Sequence, residues 1–117
     1  MIPVIGSYFD VKCEELPKEK GEKVCVRWLL ERGKNAENFS MRLFEISPGG
    51  EIGRHAHPWE HGIFVIDGEG ELEVNGRSFT VEGGSYIYIP RGAFHSYRNR
   101  GKGSFKFLCI IPKGRGD

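Results

Sequence analysis

The stretch Gly49-Gly-Glu-Ile-Gly-Arg-His55-Ala-His57-Pro-Trp-Glu-His61-Gly-Ile-Phe-Val-Ile-Asp-Gly68 decides how the rest of the chain is read. Three of the four histidines fall within seven residues here. In an extended strand His55 and His57 lie on one face, with Cα atoms roughly 6.6 Å apart at about 3.3 Å per residue. Two imidazoles so placed can converge on one metal ion. Pro58 fixes φ and lacks a ladder N–H, so the chain turns before the next apolar run. His61, at the mouth of that run, can face back toward the same point. His95 sits well downstream beside a second turn signal. Four histidines from separate segments closing on one ion is the chemistry this pattern suggests.

Outward from that stretch, the chain reads as short strands and turns. Residues 22–31 are β-branched and apolar enough for a strand. Residues 39–47 alternate, with Ser40, Arg42, Phe44 and Ile46 on one face and Met41, Leu43 and Glu45 on the other. Ser47-Pro-Gly-Gly50 has the composition of a tight turn. Strands are expected over 60–67, 69–74, 77–81, 85–89, 94–99 and 104–111. Asp67-Gly68 and Asn75-Gly76 carry hairpin signals, and Gly83-Gly84 a turn. Turn signals recur about every 8–12 residues without a convincing helical stretch, which points to an all-β sandwich or barrel. Inward side chains of different strands meet on the axis of such a barrel, which leaves room for one small ligand.

Seventeen basic and sixteen acidic residues in 117 leave a net charge of +1. That fits one domain, residues 1–117, with a terminal arm over 1–21, a barrel over 22–112 and a frayed tail over 113–117. No basic stripe favours nucleic acid, and no apolar run approaches the roughly 20 residues of a membrane helix. Without a leader-like N-terminus, a cytoplasmic location is expected. The odd number of cysteines, Cys13, Cys25 and Cys109, favours free thiols over a disulfide framework, with Cys25 and Cys109 as packing residues.

Two motifs in this chain resemble those of the cupin superfamily. The first runs Gly, five residues, His-x-His, three or four residues, Glu, six residues, Gly. Gly49, His55, His57 and Gly68 fit it, and the count back from Gly68 puts His61 where the family has Glu. The second runs Gly, five residues, Pro-x-Gly, two residues, His, three residues, Asn. Gly84, Pro90, Gly92, His95 and Asn99 match it throughout. The resemblance implies a double-stranded β-helix, or jelly-roll, barrel. With His-Pro-Trp-Glu-His it looks like small single-domain cupins that bind manganese through four histidines. The implied ligands are His55, His57, His61 and His95, with Mn2+ first and Fe2+, Zn2+, Ni2+ or Cu2+ as alternatives. Glu60, next to His61, should face the opposite way.

Arg42, Ile52, Trp59, Phe107 and Cys109 are the candidate pocket residues. Trp59 also reads as a packing plug, Arg42 as a solvent-facing cation, and Cys109 as apolar filler. Glu60, Asn99 and backbone carbonyls are candidate partners for the second ring nitrogens of the ligands. Tyr86 and Tyr88 read as sheet packing, and Glu51 and Arg54 as flanks on the solvent side. A four-imidazole ion with open positions suits a dioxygenase-type oxidoreductase acting on a small oxygen-bearing organic molecule. The alternatives are a non-catalytic metal-dependent binder or a sugar-isomerase-like cupin. Residues 2–9 are apolar enough to cover a neighbour's edge strand, so a homodimer is expected.

Overall fold

The computed structural model describes residues 2–115. After a short 3-10 turn at Tyr8–Asp10 come nine strands. They are β1 (Glu14–Glu15), β2 (Gly21–Leu30), β3 (Ser40–His55), β4 (His61–Asp67), β5 (Glu69–Val74), β6 (Arg77–Glu82), β7 (Tyr86–Ile89), β8 (His95–Arg98) and β9 (Phe105–Ile111). All pairings are antiparallel, in the order β6-β5-β8-β3-β9-β4-β7, with β2 along the other side of β3 and β1 on β2. The result is a curled sheet that closes as a jelly-roll barrel, the expected all-β fold.

β3 belongs to both halves of the barrel. Its first part, Ser40 to Ile46, pairs with β9, and its last part, Glu51 to His55, pairs with β8. Between them lies Ser47-Pro-Gly-Gly50, expected as a turn, which the structure instead keeps inside the strand as a bulge. Against β2 the register jumps from Val24↔Ile46 to Glu22↔Glu51, so the extra residues of β3 face little more than Lys23. Turn composition serves the bulge because both need special backbone: Gly49 has φ +82, and a Cβ on Gly50 would come within 2.7 Å of Lys23 O. The buried Asn99 clamps this excursion. Its Nδ2 donates to Ile46 O at 2.7 Å and to Gly103 O at 2.8 Å, while Gly49 N donates to Asn99 O and Asn99 N to Gly50 O.

Asp67-Gly68 is a second corrected turn. It joins β4 to β5, which do not pair, so it carries the chain from one half of the barrel to the other instead of closing a hairpin. Asn75-Gly76 does close the β5–β6 hairpin, with both residues at positive φ as a type I′ turn requires.

Alternation sets the core. On β4, His61, Ile63 and Val65 are buried while Gly62, Phe64 and Ile66 face out. On β9, Phe105, Phe107, Cys109 and Ile111 are buried. Phe107 stacks on Phe44 and Tyr97, with ring centroids 5.2 and 4.8 Å away. Tyr86 and Tyr88, expected as sheet packing, are exposed on the outer face of β7.

The cysteine reading is overturned at two positions. Cys13 and Cys25 form a disulfide, leaving Cys109 as the one free, buried cysteine. The pairing of Glu15 with Cys25 across β1 and β2 brings the two together, so part of the expected terminal arm is tied to the barrel. The expectation of free thiols therefore holds for Cys109 alone. The tail expected to fray from residue 113 is tied down through Arg115. Ser40 Oγ donates to Lys113 O at 2.6 Å, and Arg115 pairs with Glu14 and Glu31. Residues 1, 116 and 117 of the expected arm and tail lie outside the described residues. In the arm, Ile2, Val4, Ile5 and Phe9 are all exposed.

Closing a loop of this size by a disulfide stabilises a fold by roughly 3 kcal/mol in the chain-entropy account. Thiol titration of the denatured chain should count one reactive thiol before reduction and three after it. Three thiols without reductant would show that the bond does not form.

Candidate metal centre

The site is built where the two motif loops meet. His55 ends β3 and stands in direct register with His95, which begins β8. Cross-strand partners of this kind bring side chains into contact, and their ring centroids are 4.2 Å apart. His57 lies in the loop that follows β3. That loop is pinned to the second motif by Gly92 N donating to His57 O at 2.6 Å. Gly92, at φ +79, supplies the turn from Pro90 to Ala93 that delivers His95. His61 opens β4 on its buried face.

His55, His57 and His95 each offer a ring nitrogen, and the three atoms lie within 4.8 Å of one another. The His61 ring stands beside them, its centroid 4.9 Å from that of His95 and 5.2 Å from that of His57. The outer nitrogens are anchored. His55 Nδ1 meets Gly53 O at 2.6 Å, and His95 Nδ1 meets Ala93 O at 2.9 Å. His61 Nδ1 lies 3.6 Å from Cys109 Sγ, which also accepts from Arg42 Nη2 at 3.1 Å. With Nδ1 carrying the proton toward these acceptors, each Nε2 keeps its lone pair. The Nε2 atoms of His61 and His95 are buried without any hydrogen-bond partner. Buried polar atoms seldom stay unpaired, and a divalent cation is the group these donors fit.

Burial keeps the rings neutral. Desolvation pulls His57 down to about 4 and His61 down to about 3, helped by neighbouring histidines and Arg42. His55 and His95 are lowered by the same desolvation, which their backbone hydrogen bonds oppose. Neutral imidazole is the metal-binding form, so protons compete weakly here.

His55, His57 and His61 open onto a cavity of about 520 Å³. Of the candidate pocket residues, Arg42, Ile52 and Cys109 line it. Trp59 and Phe107 stand behind the wall: Trp59 stacks on His57 at 4.4 Å, with Lys113 Nζ 3.8 Å from the Trp59 ring centroid, and Phe107 is core. Glu60 is not a histidine partner. It faces solvent and accepts from Tyr88 Oη at 2.7 Å, which raises the Tyr88 pKa. Asn99 is not a partner either, being spent on the β3 bulge. Backbone carbonyls fill that role for His55 and His95. Glu51 pairs with Arg98 on the solvent side, while Arg54 lines the cavity and covers the Phe94 ring.

The sequence reading missed Tyr97 and Trp28, both of which line the cavity. Tyr97 follows His95 by two residues on β8, so the parity that turned His95 inward also marks Tyr97. Burial raises the Tyr97 hydroxyl well above its usual range, and raises the Cys109 thiol against the opposing pull of Arg42.

Residues 42–111 match the family model described as a cupin domain. The chain belongs to the cupin family. This cupin is 28% identical to the oxalate-binding protein of Thermotoga maritima over 106 residues, covering 87% of this chain and 88% of that one. It is 33% identical over 98 residues to quercetin 2,3-dioxygenase of Bacillus subtilis, covering 71% of this chain but only 29% of the longer enzyme. Among solved structures, the polyketide cyclase RemF of Streptomyces resistomycificus superposes with a TM-score of 0.88 at 31% identity, covering 100% of this chain and 83% of that one. Among the described residues no helix is long and apolar enough to cross a membrane.

The lowered pKa values carry a sign. An unfolded ring protonates near 6.5, whereas folded His57 and His61 resist until about 4 and about 3. Below pH 6.5 the unfolded state therefore binds more protons, and the metal-free fold loses stability as pH falls. Urea midpoints of the metal-free protein should be level above pH 6.5 and decline steadily toward pH 4. A midpoint that stays flat over that interval would contradict the burial of these rings.

Proposed function

We propose that this cupin holds one divalent ion through His55, His57, His61 and His95 and carries out an oxygenase-type reaction on a small oxygen-bearing organic molecule. The observation that carries the reading is the pair of buried, partnerless Nε2 atoms on His61 and His95, facing rings already clustered with His55 and His57. Manganese is the first choice on the resemblance to small four-histidine cupins, with iron, zinc, nickel or copper as alternatives: affinity order alone favours copper, nickel or zinc, and metal availability can override it. Bound there, the ion supplies Lewis acidity and, when redox-active, electrons for dioxygen chemistry.

The chain's own residues set the conditions for that chemistry. Gly53 O and Ala93 O fix two rings, and Trp59 holds the plane of His57 by stacking. Val26, Trp28, Phe44 and Ile52 give the cavity apolar walls that exclude water from the reacting molecule. Tyr97 and Cys109 stay protonated by burial, so neither is a ready general base. The carboxylate nearest in sequence to the ligands, Glu60, faces away. The carboxylates that do line the cavity, Glu14, Glu15 and Glu19, lie outside the two motifs that carry the histidines, which counts against a proton-shuttling isomerisation at the ion. Similarity to the quercetin dioxygenase supports the oxygenase reading.

One observation favours a second reading, a non-catalytic binder of a small chelating acid: the relative matched over nearly its whole length is an oxalate-binding protein. An oxygen electrode separates the two. With manganese or iron loaded, oxygen uptake should accompany consumption of one member of a panel of enols, diketones and flavonols, and vanish in His95→Ala. Calorimetric binding without oxygen uptake across the panel would reject the oxygenase in favour of the binder.

A further inference from the structure

Arg42 has more to do than line a wall. Its side chain shares a face of β3 with Phe44 and Ile46 and so enters the barrel. There the guanidinium is held on three sides. Its Cζ lies 5.3 Å from the Trp28 ring centroid and 4.9 Å from that of Phe44, and Nη2 donates to Cys109 Sγ at 3.1 Å. These contacts fix a planar fork in place, at an orientation an exposed arginine would not keep.

What the site leaves out is equally informative. Among the described residues no carboxylate forms an ion pair with Arg42, and its Nε is enclosed without a hydrogen-bond partner. Of the acidic residues that line the cavity, Glu14 is already paired with Arg115, and Glu15 and Glu19 are exposed and form no ion pair with Arg42. A half-buried cation without a counter-charge is unfavourable, and a divalent ion in the same cavity makes it more so. The missing negative charge is therefore expected on the ligand. The rest of the wall describes the ligand's body: Val26, Trp28, Phe44, Ile52 and Tyr97 are flat or apolar, and about 520 Å³ is far more room than a two-carbon diacid fills.

We propose that Arg42 is the residue that selects the ligand's charge, and that the ligand is a flat aromatic or enolic acid carrying one negative charge. The acid's anionic oxygen takes the free face of the guanidinium, and its ring lies against Trp28 and Phe44. This rests on the metal-dependent reading above for the position of the ligand's other oxygen donors. It departs from the small dianion named for the oxalate-binding relative.

The test uses redox-silent zinc-loaded protein and three probes in calorimetry: salicylate, its neutral analogue salicylamide, and oxalate. Salicylate should bind tighter than either of the others. Arg42→Gln should weaken salicylate by at least about tenfold, the scale of one charge-assisted hydrogen bond, while salicylamide changes by less than about twofold. Arg42→Lys should recover part of the loss, since it keeps the charge and not the fork. Salicylamide binding by each variant reports an intact cavity independently of the charge effect. Equal salicylate affinity in wild type and Arg42→Gln, or oxalate binding tighter than salicylate, would overturn the assignment. Zinc analysis separates the two ideas: a protein that retains Arg42-dependent salicylate binding but takes up no zinc would sink the metal reading and leave the role of Arg42 standing.

Discussion

A single buried amide decides where the longest strand changes sheets. Asn99 grips Ile46 O with its side chain and exchanges backbone hydrogen bonds with Gly49 and Gly50, so that the excursion at Ser47–Gly50 is held against the end of β8. Because β3 bends there, its first part can pair with β9 while its last part pairs with β8. His55 and His95 face each other only as a consequence of that second pairing. A residue that touches none of the imidazoles thus sets the register on which the histidine cluster depends. Leaving such a buried amide's partners unsatisfied costs on the order of 1–3 kcal/mol. The greater consequence is geometric, because slipping β3 by one residue would turn His55 outward.

The interior is electropositive in potential and neutral in practice. Desolvation holds the four imidazoles neutral, each with a single ring proton, and it keeps the Tyr97 hydroxyl and the Cys109 thiol protonated. Arg42 is then the fixed charge deep in the cavity, with its fork braced between two aromatic rings. The carboxylates that line it, Glu14, Glu15 and Glu19, come from the N-terminal segment and not from the histidine motifs. The cavity offers imidazole donors, an apolar wall and the braced guanidinium of Arg42, and leaves the rest to a guest and an ion.

Much of this was legible from residue order because burial in strands follows a period of two. The same alternation that places Ile63 and Val65 inside places His61 inside and Glu60 outside, and the alternation of β3 placed Arg42 with Phe44. Tyr97 was equally legible from its spacing to His95 and was passed over because tyrosine has no part in the histidine motif. Other features could not be read locally. Ser47-Pro-Gly-Gly50 looks like a turn because bulges and turns ask for the same backbone, and only the partner strand tells them apart. Asp67-Gly68 looks like a hairpin because two residues encode a reversal of direction and not which strand the chain joins next. The bond between Cys13 and Cys25 follows from β1 lying on β2, a pairing of two residues too short to leave a pattern. Asn99 stands in the second motif beside His95, which suggests a ring partner, and its actual work on a distant bulge cannot be inferred from that place.

The central claim is that four imidazole nitrogens share one ion. X-ray absorption at the zinc edge of zinc-loaded protein tests it most directly. The account predicts a shell of four imidazoles, with nitrogen at about 2.0–2.1 Å and no sulfur. Three or fewer imidazoles, or a sulfur at about 2.3 Å that would place Cys109 on the metal, would contradict it.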